Sequence, residues 1–149
     1  MKQVQDTVAA LGRVRVVQWF GDKPELYDSF SCHFVPTFPV RNQTSLRAIS
    51  GYVDLCRSLR KVPTAIGIDV KPQSQMGGAG QQLPWNVLAG FNPGLPVMLS
   101  GGLTPENVAE AIKMVQPYAV DVSSGVESVP GRKNLEKMRR FVENVRAAK

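Results

Sequence analysis

Two glycines near the C-terminal end of the chain have the types and spacing needed to bind an anion. Gly101 and Gly102 follow the apolar run 96–99 and its Ser100, and one residue later comes the pair Thr104-Pro105, which is typical of a helix start. Glycines let the backbone approach a ligand closely, and a helix N-terminus presents unpaired N–H groups to it. The pattern predicts a phosphate site, although many tight turns between a strand and a helix look the same.

A second polar segment follows the apolar run 118–122. Ser123, Ser124 and Gly125 supply hydroxyl and backbone N–H donors, and (β/α) barrels often bind phosphate with the loops after their last two strands. Asp121 shares a face of the extended chain with Ser123. It could hold sugar hydroxyls or be a buried structural acceptor.

An aspartate closes a third apolar run, 65–69. Asp69 is therefore a candidate general acid or base, but the pattern alone slightly favours an aspartate that caps a helix or lies in a turn. The glycine-rich segment 77–80 that follows predicts either a closing loop or a second anion-binding nest.

These segments belong to an alternation of strand and helix patterns. Strands are predicted at 14–18, 33–38, 64–69, 96–99 and 118–122, the second weakened by Pro36. Helices are predicted at 25–30, 44–59, 85–89, 104–115 and 135–147. Two helical stripes are expected to face the core: Leu46, Ile49, Val53, Cys56 and Leu59 in one, and Leu135, Met138, Phe141, Val142 and Val145 in the other. Five βα units indicate an α/β protein with a parallel sheet.

The length of 149 residues suits one domain, 1–149. A complete TIM-type barrel takes about 250 residues, so such a barrel would be incomplete here, a curved open sheet of about five units. A doubly wound sheet fits the pattern equally well at this stage. The open edges of a partial barrel would favour self-association or pairing with a complementary fragment.

The amino-acid composition limits the partners, the cellular location and the metal sites that can be expected. The net charge of +6 lies largely near the C-terminus and is better explained by a solvated helix face than by a nucleic-acid surface. No segment predicts a signal peptide or a membrane span, so we expect a cytoplasmic protein. Cys32 and Cys56 are expected to be reduced thiols, and His33 alone cannot form a histidine metal cluster.

Taken together, the motifs resemble the phosphoribosylanthranilate isomerase family of tryptophan biosynthesis. Asp69 precedes Gly77-Gly-Ala-Gly80 at the family's spacing. Leu99-Ser-Gly-Gly-Leu-Thr-Pro-Glu-Asn-Val108 resembles the strand-seven motif, and Pro117-Tyr-Ala-Val-Asp-Val-Ser-Ser-Gly-Val-Glu-Ser128 the strand-eight motif. Pro130-Gly-Arg-Lys resembles the turn into the last helix, and Val16-Val-Gln-Trp-Phe-Gly-Asp22 the strand-four region.

The resemblance implies a cofactor-independent and metal-independent Amadori rearrangement of N-(5-phosphoribosyl)anthranilate to an aminoketose phosphate. It implies that Asp69 is the general acid and that Asp121 orients the substrate. The phosphate would be held by Gly101, Gly102, Ser123, Ser124 and Gly125.

The chain also departs from the family pattern. The family's catalytic base is a cysteine at the end of strand one, in a Lys-Ile-Cys-Gly-type motif that this sequence lacks, and strands one to three have no counterpart. The family's histidine in Gln-x-His-Gly is Phe20 here. Two other functions stay open: a non-catalytic phosphate-ligand-binding or subunit-interaction fragment, and a related sugar-phosphate barrel enzyme that would use Lys71.

Overall fold

In a computed structural model of the chain, the structure describes residues 2–21, 24, 32–70 and 85–148. Its helices are α1 (Lys2–Leu11), α2 (Gln43–Ser58), α3 (Val108–Val115) and α4 (Leu135–Ala147). Its strands are β1 (Val16–Trp19), β2 (His33–Val40), β3 (Ile66–Val70), β4 (Val97–Ser100), β5 (Ala119–Val120), β6 (Glu127–Val129) and β7 (Arg132–Lys133). Short 3₁₀ helices cover Trp85–Leu88 and Ser124–Val126. The predicted helix 25–30, the glycine-rich segment 77–80 and Lys71 lie outside the described residues.

Five parallel strands form the main sheet in the order β1-β2-β3-β4-β5. Each strand lies beside the next one along the chain. A doubly wound sheet reverses its strand order at a switch point, whereas a barrel keeps the chain order throughout. The order therefore favours the barrel over the doubly wound alternative. Within the described residues, β1 pairs only with β2 and β5 only with β4, so the sheet is open.

The hydrophobic core covers one face of this sheet. Along β3, Ile66, Ile68 and Val70 are fully buried in the core, which places the alternate residues Gly67 and Asp69 on the opposite face. The only carboxylate of β3 is thereby directed to the inner face, away from the helices.

Helix α2 packs on the core largely as the sequence predicts. Leu46, Ile49, Val53 and Cys56 are buried, together with Tyr52. The helix begins after Asn42, whose side chain accepts a hydrogen bond from the Ser45 N–H at 3.1 Å. The prediction that Leu59 faces the core is wrong, because the helix has ended at Ser58 and Leu59 is 44% exposed.

Strand β2 is longer than predicted and contains both Pro36 and Pro39. Pairing with β1 ends at Pro36, and pairing with β3 begins at Thr37. Each half of β2 is therefore in register with one neighbouring strand, and the first half has in addition a hydrogen bond from the Thr64 N–H to the Phe34 carbonyl at 3.2 Å. The missing N–H groups of the prolines are accommodated where a second ladder is absent.

Other elements differ from prediction at their ends or were not predicted. The first strand begins at Val16 rather than at residue 14. Helix α3 begins at Val108 with Asn107 as its N-cap residue, so the predicted start at Thr104 is wrong. The sequence reasoning predicted neither α1 nor the antiparallel hairpin β6–β7.

The last helix has the predicted bounds but not the predicted inner face. Phe141 is 5% exposed, whereas Leu135, Met138 and Val142 are 71%, 43% and 46% exposed. All five stripe residues were expected to face inward, but only Phe141 and the partly buried Val145 pack against the core, because the described elements cover only one side of the helix. None of the helices in the described ranges combines the length and apolar character needed to cross a membrane.

Candidate active site

The carboxyl ends of the strands surround a cavity of about 400 Å³. Every site residue predicted from the sequence lines it: Asp69, Gly101, Gly102, Asp121, Ser123, Ser124 and Gly125. They come from β3 and from the loops after β4 and β5, at the end of a parallel sheet where ligands bind. The cavity therefore brings into one place residues that span more than a third of the chain.

Gly101 lies against Asp69 so closely that no other residue fits. A Cβ atom added to Gly101 would overlap the Val70 carbonyl oxygen and crowd Asp69 Oδ1, and the φ angle of Gly101 is +90°. Asp69 is only 9% exposed. The candidate acid and the first glycine of the predicted phosphate loop are therefore direct neighbours.

A side-chain amide holds the glycine loop in shape. Asn107 Oδ1 accepts a hydrogen bond from the Thr104 N–H at 2.8 Å, and Asn107 Nδ2 donates to the Gly102 carbonyl at 3.0 Å. Thr104 Oγ1 in turn accepts from the Glu106 N–H at 3.2 Å. Because the carbonyls and some amides of this turn are bonded internally, the loop keeps its conformation without a ligand.

The two predicted phosphate loops pack against each other. A Cβ atom on Gly125 would overlap the Leu103 carbonyl oxygen and would lie 3.2 Å from Thr104 Cα. The glycine is thus required by the contact between the loops after β4 and β5. Their backbones converge on one part of the cavity, as a shared anion site would need.

Asp121 is exposed and lies just beyond β5, where its N–H donates to the Leu99 carbonyl at 2.8 Å. The alternative that Asp121 is a buried structural acceptor is therefore wrong. Its carboxylate lies on the cavity wall, where it is accessible to a ligand.

The hairpin β6–β7 braces the serine loop from behind. Lys133 Nζ donates to the Ser123 carbonyl and to Glu127 Oε1, both at 2.8 Å, and to Ser123 Oγ at 3.3 Å. Glu127 Oε2 accepts from the Gly131 N–H at 3.1 Å. The hydrogen bond from Lys133, followed by the one from Gly131, lowers the pKa of Glu127, so this carboxylate stays ionised.

Gln18, Phe20 and Ser100 also line the cavity, although the sequence reasoning did not include them in the site. Gln18 Nε2 donates to Thr37 Oγ1 at 3.1 Å, and Ser100 Oγ donates to the Ile68 carbonyl at 3.1 Å. Their positions at the last residues of β1 and β4 were the available signal, because side chains at carboxyl ends of strands face this cavity.

The two cysteines and the histidine lie elsewhere. Cys32 and His33 stand at the amino end of β2, opposite the cavity, and Cys56 is fully buried in α2. Burial raises the pKa of the Cys56 thiol, which disfavours the reactive thiolate. Neither cysteine is placed to act as a base in this cavity.

A second cavity, of about 470 Å³, opens at the opposite end of the strands. Pro96, Val97 and Tyr118 are among its lining residues, and none of the predicted site residues is. Although it is slightly larger, it lies at the amino ends of β4 and β5, where parallel α/β folds rarely place chemistry. The smaller cavity is therefore the candidate active site.

The strand order and the position of the cavity define the class: an incomplete (β/α) barrel with its candidate site at the carboxyl ends of the strands. Residues 2–144 match the family model for N-(5'-phosphoribosyl)anthranilate (PRA) isomerase. The chain belongs to this family.

Relatives agree with this assignment. N-(5'-phosphoribosyl)anthranilate isomerase of Geobacter metallireducens is 39% identical over 140 residues, which are 93% of this chain and 65% of the relative. That of Moorella thermoacetica is 40% identical over 143 residues, 95% of this chain and 60% of the relative. The chain thus spans about two thirds of the length of the curated relatives it matches.

Solved structures show the same fold. Phosphoribosyl anthranilate isomerase from Thermotoga maritima superposes with a TM-score of 0.77 at 30% identity, over 97% of this chain and 68% of that one. A phosphoribosyl anthranilate isomerase in complex with reduced 1-(o-carboxyphenylamino)-1-deoxyribulose 5-phosphate gives a TM-score of 0.74 at 28% identity, over 97% of this chain and 66% of that one. These matches establish the fold of the chain as part of a TIM-type barrel.

Proposed function

We propose that this chain supplies the phosphate-binding loops and the general acid of a phosphoribosylanthranilate isomerase site. One observation carries the proposal: in a member of this family, a single cavity is lined by Asp69 and by both glycine- and serine-containing loops. The isomerase of known structure that holds a reduced product-type ligand is similar over nearly the whole chain, which supports a sugar-phosphate ligand of the same class.

The reaction would begin at Asp69. Its carboxyl group protonates the ribose ring oxygen, the bond from that oxygen to C1′ breaks, and the anthranilate nitrogen takes up the positive charge as a Schiff base. A base then removes the C2′ proton to give an enol-amine, which tautomerises to the aminoketose. Asp69 suits the first step because it is nearly buried and lies on the cavity wall rather than in a solvated turn.

The phosphate would sit where the two loops meet. Gly101, Gly102 and 123–125 present backbone and hydroxyl donors there, and an anion gains most from donors that are already held in place. Asp121, exposed at the same wall, would accept hydrogen bonds from ribose hydroxyls. No cofactor or metal enters any of these steps.

The family's base is a cysteine, and no cysteine is among the described residues that line the cavity. Cys32 and Cys56 lie away from the cavity. We propose that the base comes from the part of the barrel that corresponds to the remaining third of the relatives.

The same part of the relatives' barrel would cover the apolar side of α4 and the outer edges of β1 and β5. Leu135, Met138 and Val142 are exposed on α4, and within the described sheet β1 and β5 each have one free edge. We propose that these surfaces pair with three further βα units, with self-association of the chain as the competing outcome.

Complementation tests both proposals. The chain is mixed with a purified fragment that carries strands one to three and the catalytic cysteine of a family member, and turnover of phosphoribosylanthranilate is measured. The proposal expects turnover by the mixture and none by either part. A matched fragment with the cysteine replaced by serine is the control. No turnover, with phosphate binding retained, would indicate a non-catalytic binding module instead.

A further inference from the structure

The segment Pro130-Gly-Arg-Lys has no role in the chemistry described so far, yet the structure folds its lysine back onto the serine loop. Lys133 reaches Ser123 across ten positions of sequence and bonds both its carbonyl and its hydroxyl oxygen. The reach of the side chain is set by the hairpin, in which Lys133 pairs with Glu127.

All three N–H donors of the Lys133 ammonium have partners within the protein. They are the Ser123 carbonyl at 2.8 Å, Ser123 Oγ at 3.3 Å and Glu127 Oε1 at 2.8 Å. An ammonium group has three donors and no acceptor. Lys133 is therefore committed to the protein and leaves phosphate binding to the loop itself.

The bond to Ser123 Oγ decides how that hydroxyl behaves. Since an oxygen lone pair of Ser123 receives a donor from Lys133, the hydroxyl proton is free to point away from the ammonium. Ser123 lines the cavity, so this proton can be donated to a ligand bound there. A hydroxyl that accepts from a cation also becomes a stronger donor to an anion.

Glu127, the second partner of Lys133, is itself held in place by hydrogen bonds. Glu127, with a side chain only 16% exposed, accepts from Lys133 and from the Gly131 N–H, and its backbone carbonyl accepts from Lys137 Nζ at 2.8 Å. The Asn134 N–H donates to the Val126 carbonyl at 2.7 Å. The hairpin and the first turn of α4 thus form a fixed support behind the loop.

We propose that Lys133 is a positioning residue for the phosphate site. It fixes Ser123 as a hydrogen-bond donor, holds the 123–125 loop against the cavity, and acts on the ligand only through that loop. The proposal rests on the proposed function in one respect, namely that the cavity takes a phosphate ester.

The test measures binding of inorganic phosphate to the full chain by ³¹P NMR, in parallel with thermal unfolding. Lys133→Met removes the ammonium and keeps the aliphatic stem. We expect it to weaken phosphate binding about tenfold, the scale of one lost hydrogen bond to a charged group, with a much smaller change in Tm. Lys133→Arg, which restores charge and donors, should recover most of the affinity.

Lys113→Met is the matched control. Lys113 is an exposed lysine in the last turn of α3, so the variant loses the same charge away from the cavity. We expect its phosphate affinity to stay within about twofold of the unchanged chain, since charges separated by more than a Debye length are largely screened.

Three results would overturn the role of Lys133 while leaving the phosphate site intact: equal affinity in Lys133→Met and the unchanged chain, equal weakening in Lys113→Met, or weakening that follows Tm and is not recovered by arginine. Failure of the unchanged chain to bind phosphate at all would instead overturn the phosphate site of the proposed function.

Discussion

The two ends of the sheet are built differently. At the β5 end, the loops that line the cavity are bonded to neighbours close in sequence: Asn107 to Gly102, and Lys133 to Ser123. At the β1 end, Phe20 lies on the cavity wall with 65% of its surface exposed. The loops at the β5 end are therefore held by hydrogen bonds within the described chain, whereas the described residues leave Phe20 at the β1 end largely uncovered.

This difference separates binding from turnover. A loop held by its own side chains can grip a phosphate in an incomplete barrel, because its donors need no distant strand to position them. Proton transfer needs an acid and a base on opposite parts of the substrate, and those come from strands on different sides of a barrel. The comparison therefore predicts that binding survives in the chain alone and that turnover does not.

The largest expected effect is on the acid. In the complemented enzyme, Asp69→Asn should lower turnover by about 10²- to 10⁴-fold, the usual contribution of a general acid, while phosphate affinity stays nearly unchanged. The measurement is the initial rate of product formation beside a phosphate titration. Asp54→Asn, which alters an exposed carboxylate on α2, is the control. An Asp69→Asn enzyme with full turnover would remove Asp69 from the mechanism.

The next effect distinguishes the two sides of α4. Phe141→Ala should lower the free energy of unfolding by about 3–5 kcal/mol, because Phe141 is buried and leaves a cavity. Leu135→Ser should cost less than about 0.5 kcal/mol in the chain alone, since Leu135 is already 71% exposed. Urea titration followed by circular dichroism measures both.

Leu135→Ser also tests the proposal that the apolar side of α4 pairs with further βα units. Leu135→Ser should weaken complementation even though it leaves the isolated chain as stable as before, because an exposed apolar residue matters only once a partner covers it. Equal affinity of the fragment for the variant and the unchanged chain would show that this side of α4 stays uncovered.

A smaller effect is expected where the two phosphate loops meet. Gly125→Ala should lower stability by about 1–3 kcal/mol, the usual cost of overpacking, because the new Cβ would overlap the Leu103 carbonyl oxygen. It should also abolish phosphate binding, since the loops must separate to make room. Gly51→Ala is the control: Gly51 is exposed in α2, and an added Cβ has no atom within 4 Å. Retained phosphate affinity in Gly125→Ala would contradict a shared site.

The sequence predicted the positions of the cavity glycines better than those of the edge-strand residues. Gly101 and Gly125 are required by local backbone approach, so residue type alone points to the structure. Phe20 and Gln18 were not identified as cavity residues because their role follows from where the edge strand lies. The roles assigned to Asp69 and the loop residues stay predictions until the variants are measured.

For the fold, too, the sequence predicted the features that depend on local periodicity but not those that depend on neighbouring elements. The core face of α2 and the bounds of α4 follow from helical periodicity, which depends on a few turns of chain. The exposure of Met138 and Val142 does not, because periodicity identifies an apolar stripe but not whether a neighbouring element covers it. The prolines of β2 were misjudged in the same way, since their tolerance depends on where the neighbouring ladders begin and end.

The smallest expected effect concerns the support behind the serine loop. The pKa of Glu127 is lower in the folded chain than its ordinary value of 4.5, chiefly because Lys133 donates a hydrogen bond to it. Its carboxylate therefore stabilises the fold above about pH 4.5, and that contribution is lost as the pH falls through the lowered folded-state pKa.

The free energies of unfolding of the unchanged chain and of Glu127→Gln can be measured by urea titration from pH 7 to pH 3. They should differ at pH 7 and converge on acidification. Added salt should narrow the gap at pH 7, because both partners are partly exposed to solvent. A gap that stays constant over this pH range would show that the ion pair does not support the loop. The contrast between the two ends of the sheet would then rest on the close approach of Gly125 to Leu103 and on the hydrogen bonds of the Asn107 side chain.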